Sequence, residues 1–357
     1  MATDGNAIVY CEGFFGTTNG KTAHGLVRHT RRYKVVALVD SRYAGKDAGM
    51  VLDNKNYGIP TYASLDDAFD ATKNSGNPAK YFVNGITPDG GRVIQETRQA
   101  AKRALELGLN VDSGAHDFLS EDYELMKLAK EKNLTIRDVR KPPARNEQHF
   151  FSGKIEDVDC LKVAILGTDS AVGKRTTAWI LVDALEKAGF RAEMVGTGQT
   201  AWMQGAKYGI IMDSLINDFV SGEIENAVWS AWHNEKPDVI VIEGQGSLMN
   251  PAYPGGFEIL AAGRPDVIIM QHPPARKEYD GFPGYALHPL EVQIEAVELL
   301  GSKPVIAITI NHENISADDI PRIAEETGRS LGLPAVDALT QGADVLVEVL
   351  RKYIHKR

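Results

Sequence analysis

The sequence predicts two α/β domains, each a doubly wound parallel sheet with helices on both faces. Short apolar runs typical of strands alternate with helical patterns along most of the chain. These runs are apolar almost throughout, as in parallel strands that are buried on both faces. The 357 residues are enough for about two domains, and a stretch rich in proline and charge interrupts the alternation near residue 141.

The first domain is predicted to cover residues 1–140. Its expected strands lie at 7–11, 34–40, 59–62, 80–85, 110–114 and 134–139. Its expected helices lie around 23–30, after residue 65, at 94–107 and at 123–133. Residues 141–159 begin with Lys-Pro-Pro and continue with polar residues, which is typical of a linker.

The second domain is predicted to cover residues 160–357. Its expected strands lie at 162–166, 191–195, 238–242, 266–270 and 304–310. Its expected helices lie around 174–188, 222–234, 288–300 and 318–330. In such an open sheet, ligands bind outside the carboxyl ends of the strands, so the loops that leave these strands are the candidate site.

Composition restricts the class of protein. With 43% hydrophobic and 24% charged residues the chain can build buried cores. A net charge of -9 argues against a nucleic-acid partner, which needs a basic surface. No apolar run approaches the ~18 residues of a membrane span, and the N-terminus lacks a signal-peptide pattern. We therefore expect a cytoplasmic protein with a small-molecule substrate, no membrane contact, two buried reduced cysteines and a homo-oligomeric state.

The strongest motif is a phosphate-binding loop between the apolar run at 163–166 and a helical pattern. Backbone N–H groups of such a loop, the helix N-terminus and a lysine surround an anion. The loop comprises Gly167, Thr168, Asp169, Ser170, Ala171, Val172, Gly173, Lys174, Arg175, Thr176 and Thr177. Five residues separate its glycines, where the common pattern has four, and Arg175 stands where Ser or Thr would hold Mg²⁺.

Two further strand-end loops carry polar side chains. Gln199 and Thr200 follow the second strand of this domain and could hydrogen-bond a substrate; the alternative is a glycine-rich turn. Glu243 ends an apolar strand beside the phosphate loop, and Gln245, two residues later, is a candidate substrate-binding side chain. Such a carboxylate could bind a metal or act as a general base, or it could be purely structural.

The loop after the fourth strand carries basic residues and histidines. Arg276 and Lys277 could pair with substrate carboxylates. His272 and His288 are candidate acid/base groups, although each could equally be a structural histidine.

In the first domain, three glycines follow the first predicted strand. Gly13, Gly16 and Gly20 form G-x-x-G-x-x-x-G, which differs from the dinucleotide motif G-x-G-x-x-G. Asp40 ends the second strand, where a ribose-binding acid would lie. The signal for a dinucleotide is weak, and the alternative is an ordinary turn. No spacing of ligating residues identifies a metal site.

The motifs resemble two families. The phosphate loop is similar to the G-T-D-T-x-V-G-K-T loop of dethiobiotin synthetase-like P-loop proteins, and Gln199-Thr200 and Glu243-Gly244 fall where those proteins carry Q-T-G and E-G. Together with a Rossmann-like first domain, the same loop and the segments at 196–200 and 243–247 resemble the DUF1611 family over nearly the whole chain. That family includes a bacterial D-glutamate N-acetyltransferase that uses acetyl-CoA.

The resemblance implies a Rossmann-like domain followed by a P-loop domain, and an acyltransferase of D-amino acid metabolism. Acetyl-CoA would be the co-substrate, with its phosphates on the loop and on Arg175. Glu243 would be the first candidate for the general base, with Asp169 and His288 behind it, and glycine-loop N–H groups would stabilise the oxyanion. The carboxylates of glutamate would be bound by Arg276, Lys277 or Arg145.

Two alternatives stay open at this point. An ATP-dependent ligase or kinase resembling dethiobiotin synthetase would place Mg²⁺ near Thr176 and Glu243. A nucleotide-binding regulator would bind its ligand without turnover. Arg175 in place of a magnesium-binding hydroxyl favours the acyltransferase.

Overall fold

The computed structural model describes residues 3–354, apart from the side chain of Asp89, as two compact units. One unit comprises the chain up to Pro142 together with Gln199–Ala206, and the other comprises Pro143–Gly198 and the chain from Lys207 onward. Each unit contains a sheet in which all paired strands are parallel. The predicted fold class is confirmed.

The first unit is built on a six-stranded sheet in the order β3-β2-β1-β4-β5-β6. Its strands are β1 Gly5–Tyr10, β2 Tyr33–Val39, β3 Thr61–Tyr62, β4 Tyr81–Asn84, β5 Asn110–Ser113 and β6 Ile136–Asp138. Its helices are α1 Lys21–Arg28, α2 Ala48–Asp53, α3 Leu65–Asn74, α4 Gln95–Leu107 and α5 Tyr123–Glu131. The central strands are buried on both faces, which explains why their sequences are continuously apolar.

After residue 142 the chain forms a seven-stranded sheet in the order β13-β12-β11-β7-β10-β8-β9. The strands are β7 Leu161–Gly167, β8 Ala192–Gly196, β9 Tyr208–Gly209, β10 Val239–Glu243, β11 Val267–His272, β12 Val305–Ile310 and β13 Ala335–Val336. The helices are α6 Lys174–Lys187, α7 Gln199–Gln204, α8 Asn217–Glu235, α9 Leu290–Gly301, α10 Ile320–Leu331, α11 Ala338–Gln341 and α12 Asp344–Ile354. All of these belong to the second unit except α7.

Helix α7 packs within the first unit. Thr200 Oγ1 lies 2.8 Å from Thr22 Oγ1, which lies 2.9 Å from Thr87 Oγ1. Gln204 Nε2 donates to the carbonyl oxygens of Gly25 and His29, both at 2.8 Å. The first turn of α1 and the loop after β4 flank the point where the strand order reverses, which is the usual ligand crevice of such a sheet. Helix α7 therefore covers that crevice.

The glycine loop after β1 is explained by packing. A Cβ on Gly16 would lie 2.1 Å from Tyr43 Oη, and one on Gly20 would lie 2.6 Å from Phe14 O. Asp40, which is buried, accepts a hydrogen bond from Phe15 N at 2.9 Å. These glycines and this carboxylate thus serve contacts inside the unit, as expected for an ordinary turn.

In the second sheet, the register brings three strand ends together. Glu243 on β10 pairs with Ile165 on β7, and Gln271 on β11 pairs with Gly167 at the end of β7. The loops after β7, β10 and β11 consequently leave one edge of the sheet side by side. This edge contains the candidate site.

The segment predicted as a linker packs on helix α8. Glu225 accepts hydrogen bonds from Ser152 N at 2.7 Å and from Ile155 N at 3.2 Å. A Cβ on Gly222 would lie 2.1 Å from His149 O, so only glycine permits this close approach. Residues 149–155 are therefore held in place by buried groups of the second unit.

The structure also differs from the predicted elements. Helix α8 begins at Asn217, five residues before the predicted start, and β9, β13, α2, α7, α11 and α12 were not predicted. The two-residue strands and the short helices α7 and α11 carry too few positions for a periodic signal. None of the helices in residues 3–354 is long and apolar enough to cross a membrane.

Candidate phosphate-binding site

The phosphate loop leaves β7 at Gly167 and enters α6 at Lys174. Ala171 and Gly173 adopt left-handed backbone conformations, with φ of 52° and 99°. Asn311 Nδ2, after β12, donates to Val172 O at 2.8 Å and supports the loop from outside. A glycine at position 173 is the residue that this turn into the helix tolerates best. The loop directs the N-terminus of α6 toward an anion position.

Lys174 is buried, and its ammonium lies against the loop. Nζ donates to Asp169 O at 2.6 Å and to Gly246 O at 2.8 Å. Burial lowers the pKa of Lys174 from 10.5 to about 8, although the nearby carboxylates of Asp169 and Glu243 oppose the shift. The lysine is therefore charged at neutral pH and can exchange its carbonyl partners for an anion.

Asp169 joins the loops of three strands. Its Oδ1 accepts from Ser170 N at 2.6 Å and from Asn250 Nδ2 at 2.7 Å. Its Oδ2 accepts from Arg276 Nη1 at 2.7 Å and from Asp280 N at 2.8 Å. The carboxylate is completely buried, with both oxygens used twice. This saturation indicates a structural role for the side chain that was the second candidate for the general base.

Arg276 has internal partners on several of its nitrogens. Nε and Nη2 bind the two carboxylate oxygens of Glu313 at 2.8 and 2.6 Å. Nη1 binds Asp169 and also Ser170 O, at 2.9 Å. The guanidinium that was predicted to bind substrate carboxylates thus connects the phosphate loop to the loop after β12.

Glu243 is buried at the end of β10. Its Oε2 accepts from Thr197 N at 2.8 Å, and Thr197 Oγ1 donates to the carbonyl oxygen of Glu243 at 3.0 Å. Gln245 Nε2 donates to the same hydroxyl at 3.0 Å. Burial raises the pKa of Glu243, and the positive charge of Arg175 is the first of the effects that oppose this. Glu243 and Arg175 therefore lie close enough to interact electrostatically.

Hydroxyl groups around the loop are also engaged. Thr177 Oγ1 and Thr309 Oγ1 both donate to Gln271 Oε1, at 2.5 and 2.6 Å. Thr168 Oγ1 lies 3.0 Å from His272 Nδ1. Burial lowers the pKa of His272 to about 4, so this imidazole is neutral at neutral pH.

His288 lies on the segment after β11. It is exposed, and its Nδ1 lies 2.8 Å from the hydroxyl of Tyr279, which is buried. Burial raises the pKa of Tyr279, so the phenol stays protonated at neutral pH.

Of the other four predicted residues, two belong to each unit. Lys277 is exposed one residue after Arg276, and Arg145 is exposed on a single helical turn of the second unit. Gln199 and Thr200 belong to α7 in the first unit, where Gln199 packs over Gly114 and Thr200 contacts Thr22. The structure thus brings Glu243, Gln245 and Arg276 to the phosphate loop.

Sequence reasoning missed several residues that complete this site. They are Thr197, Asn250, Gln271, Tyr279, Thr309, Asn311 and Glu313. Most follow a strand end, so the rule that ligands gather at the carboxyl edge could have identified their loops but not their partners. Among the residues that the structure describes, no three His, Cys, Asp or Glu side chains are grouped so as to hold a metal ion.

Comparisons with known proteins agree on one family. The P-loop domain model of DUF1611, a domain of unknown function, matches residues 149–347, and the Rossmann-like DUF1611 N-terminal model matches residues 41–142. A D-glutamate N-acetyltransferase of Tritonibacter scottomollicae is 31% identical over 279 residues, 76% of this chain and 81% of that protein. A protein of the same name from a Pseudoalteromonas species is 30% identical over 276 residues, 75% of this chain and 80% of that protein.

A solved structure has the same arrangement of elements. The crystal structure of a DUF1611 family protein from Anabaena variabilis matches with a TM-score of 0.89 at 27% identity. The match covers 98% of this chain and all of that one.

Replacing Asp169 with asparagine should destabilise the second unit. Asp169→Asn keeps the shape but removes the charge that faces Arg276 and presents an amide to donors, so we expect a loss of roughly 3 kcal/mol. Urea denaturation followed by tryptophan fluorescence measures it. Glu278→Gln, at an exposed carboxylate, is the control. Equal stability of both variants would contradict the structural role of Asp169.

Anion binding by the loop should weaken as the pH rises through about 8. The ammonium of Lys174 has a folded-state pKa of about 8, so its charge is present below that pH and lost above it. Calorimetric titration with inorganic pyrophosphate between about pH 7 and about pH 9 tests this. Lys277→Met should keep the pH dependence, and Lys174→Met should bind weakly at every pH. A flat profile in the unmodified protein would refute the assignment.

Proposed function

The chain belongs to the DUF1611 family, and from this premise we propose that it is an N-acetyltransferase. The reaction moves the acetyl group of acetyl-CoA to the amine of D-glutamate or of a similar acidic amino acid. Two relatives of about 30% identity that carry the name D-glutamate N-acetyltransferase support it. In the reaction the amine nitrogen attacks the thioester carbon, the C–S bond breaks, and CoA leaves as a thiolate.

The observation that carries the proposal is the residue at the position of the usual magnesium-binding hydroxyl. Arg175 stands in the position of the usual magnesium-binding hydroxyl, with its charge near Glu243. A guanidinium at this position cannot ligate Mg²⁺ as a hydroxyl does. Such a loop is suited to phosphates that are bound but not transferred, as those of CoA are.

Lys174, Arg175 and the N-terminus of α6 are the groups we propose for the phosphates of CoA. The backbone N–H groups of the loop add donors around the same position. Acetyl transfer changes no charge on these phosphates, so the loop contributes affinity and orientation, while the chemistry occurs at the far end of the pantetheine arm.

Glu243 then has a positioning role. Its hydrogen bond from Thr197 and its electrostatic interaction with Arg175 support that role. We propose that it holds Arg175 in the phosphate site, with Thr197 fixing its orientation. His288 is the proposed acceptor of the ammonium proton, since an exposed imidazole can pass that proton to solvent. A base role for Glu243 is the alternative that the variants below test.

The test of function is an acetyl-transfer assay on the purified chain. With acetyl-CoA and D-glutamate we expect one free CoA thiol for each N-acetylglutamate, measured with a thiol reagent and by mass spectrometry. EDTA should leave the rate unchanged, and Lys174→Ala should raise the KM for acetyl-CoA. Release of ADP from Mg-ATP in the presence of D-glutamate, without acetyl transfer, would replace this proposal with the ligase or kinase alternative.

Substitutions at Glu243 and His288 should affect different kinetic constants. Glu243→Gln should raise the KM for acetyl-CoA about tenfold with little change in kcat, because it weakens the hold on Arg175. His288→Gln should lower kcat by about a hundredfold or more with little change in the KM for acetyl-CoA. A large loss of kcat in Glu243→Gln with an unchanged KM would instead make Glu243 the base.

A further inference from the structure

Three aromatic rings stand in a row on two loops of the second unit. The centroids of Tyr253 and Phe282 are 6.2 Å apart, and those of Phe282 and Tyr285 are 6.5 Å apart, both pairs edge to face. Tyr253 is 55% exposed and Tyr285 is 58% exposed. Large aromatic side chains grouped and open to solvent in this way are unusual on a protein surface and mark binding sites. We call Tyr253, Phe282 and Tyr285 the aromatic row.

The backbone around the row is well ordered by hydrogen bonds. Asn250 Oδ1 accepts from Tyr253 N at 2.7 Å, and Tyr253 O accepts from Gly255 N at 2.7 Å. On the other loop, Tyr285 O accepts from Tyr279 N at 2.9 Å. The rings are therefore presented by fixed turns, which keeps the entropic cost of binding a ligand low.

Both loops are attached to the phosphate loop through one carboxylate. Asn250, three residues before Tyr253, donates to Asp169 Oδ1 at 2.7 Å. Asp280, two residues before Phe282, donates its backbone N–H to Asp169 Oδ2 at 2.8 Å. On each loop, a ring of the aromatic row thus follows within three residues of a contact with Asp169 in the phosphate loop. A ligand that uses both must combine a phosphate with a flat, apolar group close to it.

The chemistry of the rings favours a nucleobase. Aromatic faces carry negative partial charge, so they disfavour the carboxylates of an acidic amino acid. A purine stacks on such rings, and in a nucleotide a single ribose separates the base from its phosphates. We propose that the aromatic row is the adenine subsite of the phosphate loop, and that the adenine belongs to CoA. The identity of the nucleotide rests on the proposed function; the stacking of an adenine does not.

The test compares ligands with and without the ring. Phe282→Ala and Tyr253→Ala should each lower the affinity for CoA roughly tenfold or more, measured by calorimetry, while the affinity for inorganic pyrophosphate stays the same. Tyr253→Trp, which keeps a stacking surface, should retain CoA binding. Tyr123→Ala, at an exposed tyrosine of the first unit, is the matched control and should bind both probes like the unmodified protein.

Each other outcome decides against one part of the inference. Unchanged CoA affinity in both alanine variants would overturn the subsite, as would an equal loss of pyrophosphate affinity, which would mean that the loop itself had collapsed. A shift of the sedimentation coefficient toward a smaller species in the variants, without a change in CoA affinity, would assign the row to contacts between copies. Ring-dependent binding of ADP but not of CoA would keep the adenine subsite and refute the proposed function.

Discussion

The buried carboxylate of Asp169 is the interaction on which the candidate site depends. A buried carboxylate is stable only when several hydrogen-bond donors surround it. The carboxylate of Asp169 has four donors, which come from Ser170, Asn250, Arg276 and Asp280. These donors come from the loops after three neighbouring strands. The hydrogen bonds that the buried carboxylate of Asp169 requires therefore hold the phosphate loop and both flanking loops together. They also fix the two loops that carry the aromatic row.

The cations around the loop divide into two kinds. Arg276 is committed to Asp169 and Glu313, so its charge is used to build the site. Lys174 is bound to two carbonyl oxygens, which are neutral acceptors that an anion can replace. Arg175 lies near Glu243, whose burial raises its pKa. Lys174 is therefore the cation of the loop whose printed partners an anion can replace.

The first unit shows that fold class and function are separate questions. Its sheet has the strand order in which a dinucleotide would bind where the order reverses, yet α7 covers that position and is held there by Thr200 and Gln204. The short side chain of Thr22 and the lack of one at Gly114 make room for this helix. Of the loop glycines that suggested a weak nucleotide motif, Gly16 allows the close packing of Tyr43 instead.

The sequence by itself determined both parallel sheets and the phosphate loop, because apolar runs, helical periodicity and the Gly-Lys turn are local patterns. It also indicated that Glu243 would end a strand beside that loop, since parallel strand ends share one edge. Only the tertiary structure decided the partners: Asp169 meets Asn250 and Arg276 across 81 and 107 residues of chain. No local sequence pattern encodes hydrogen bonds between such distant residues. The sequence therefore predicted that Arg276 binds substrate, whereas the structure shows it bound to Asp169 and Glu313. Gln199 was predicted for the second domain, whereas it belongs to the first unit. Buried polar groups find their hydrogen-bond partners only when the chain is folded. The positions of Asp169, Asn250 and Arg276 therefore depend on the tertiary structure.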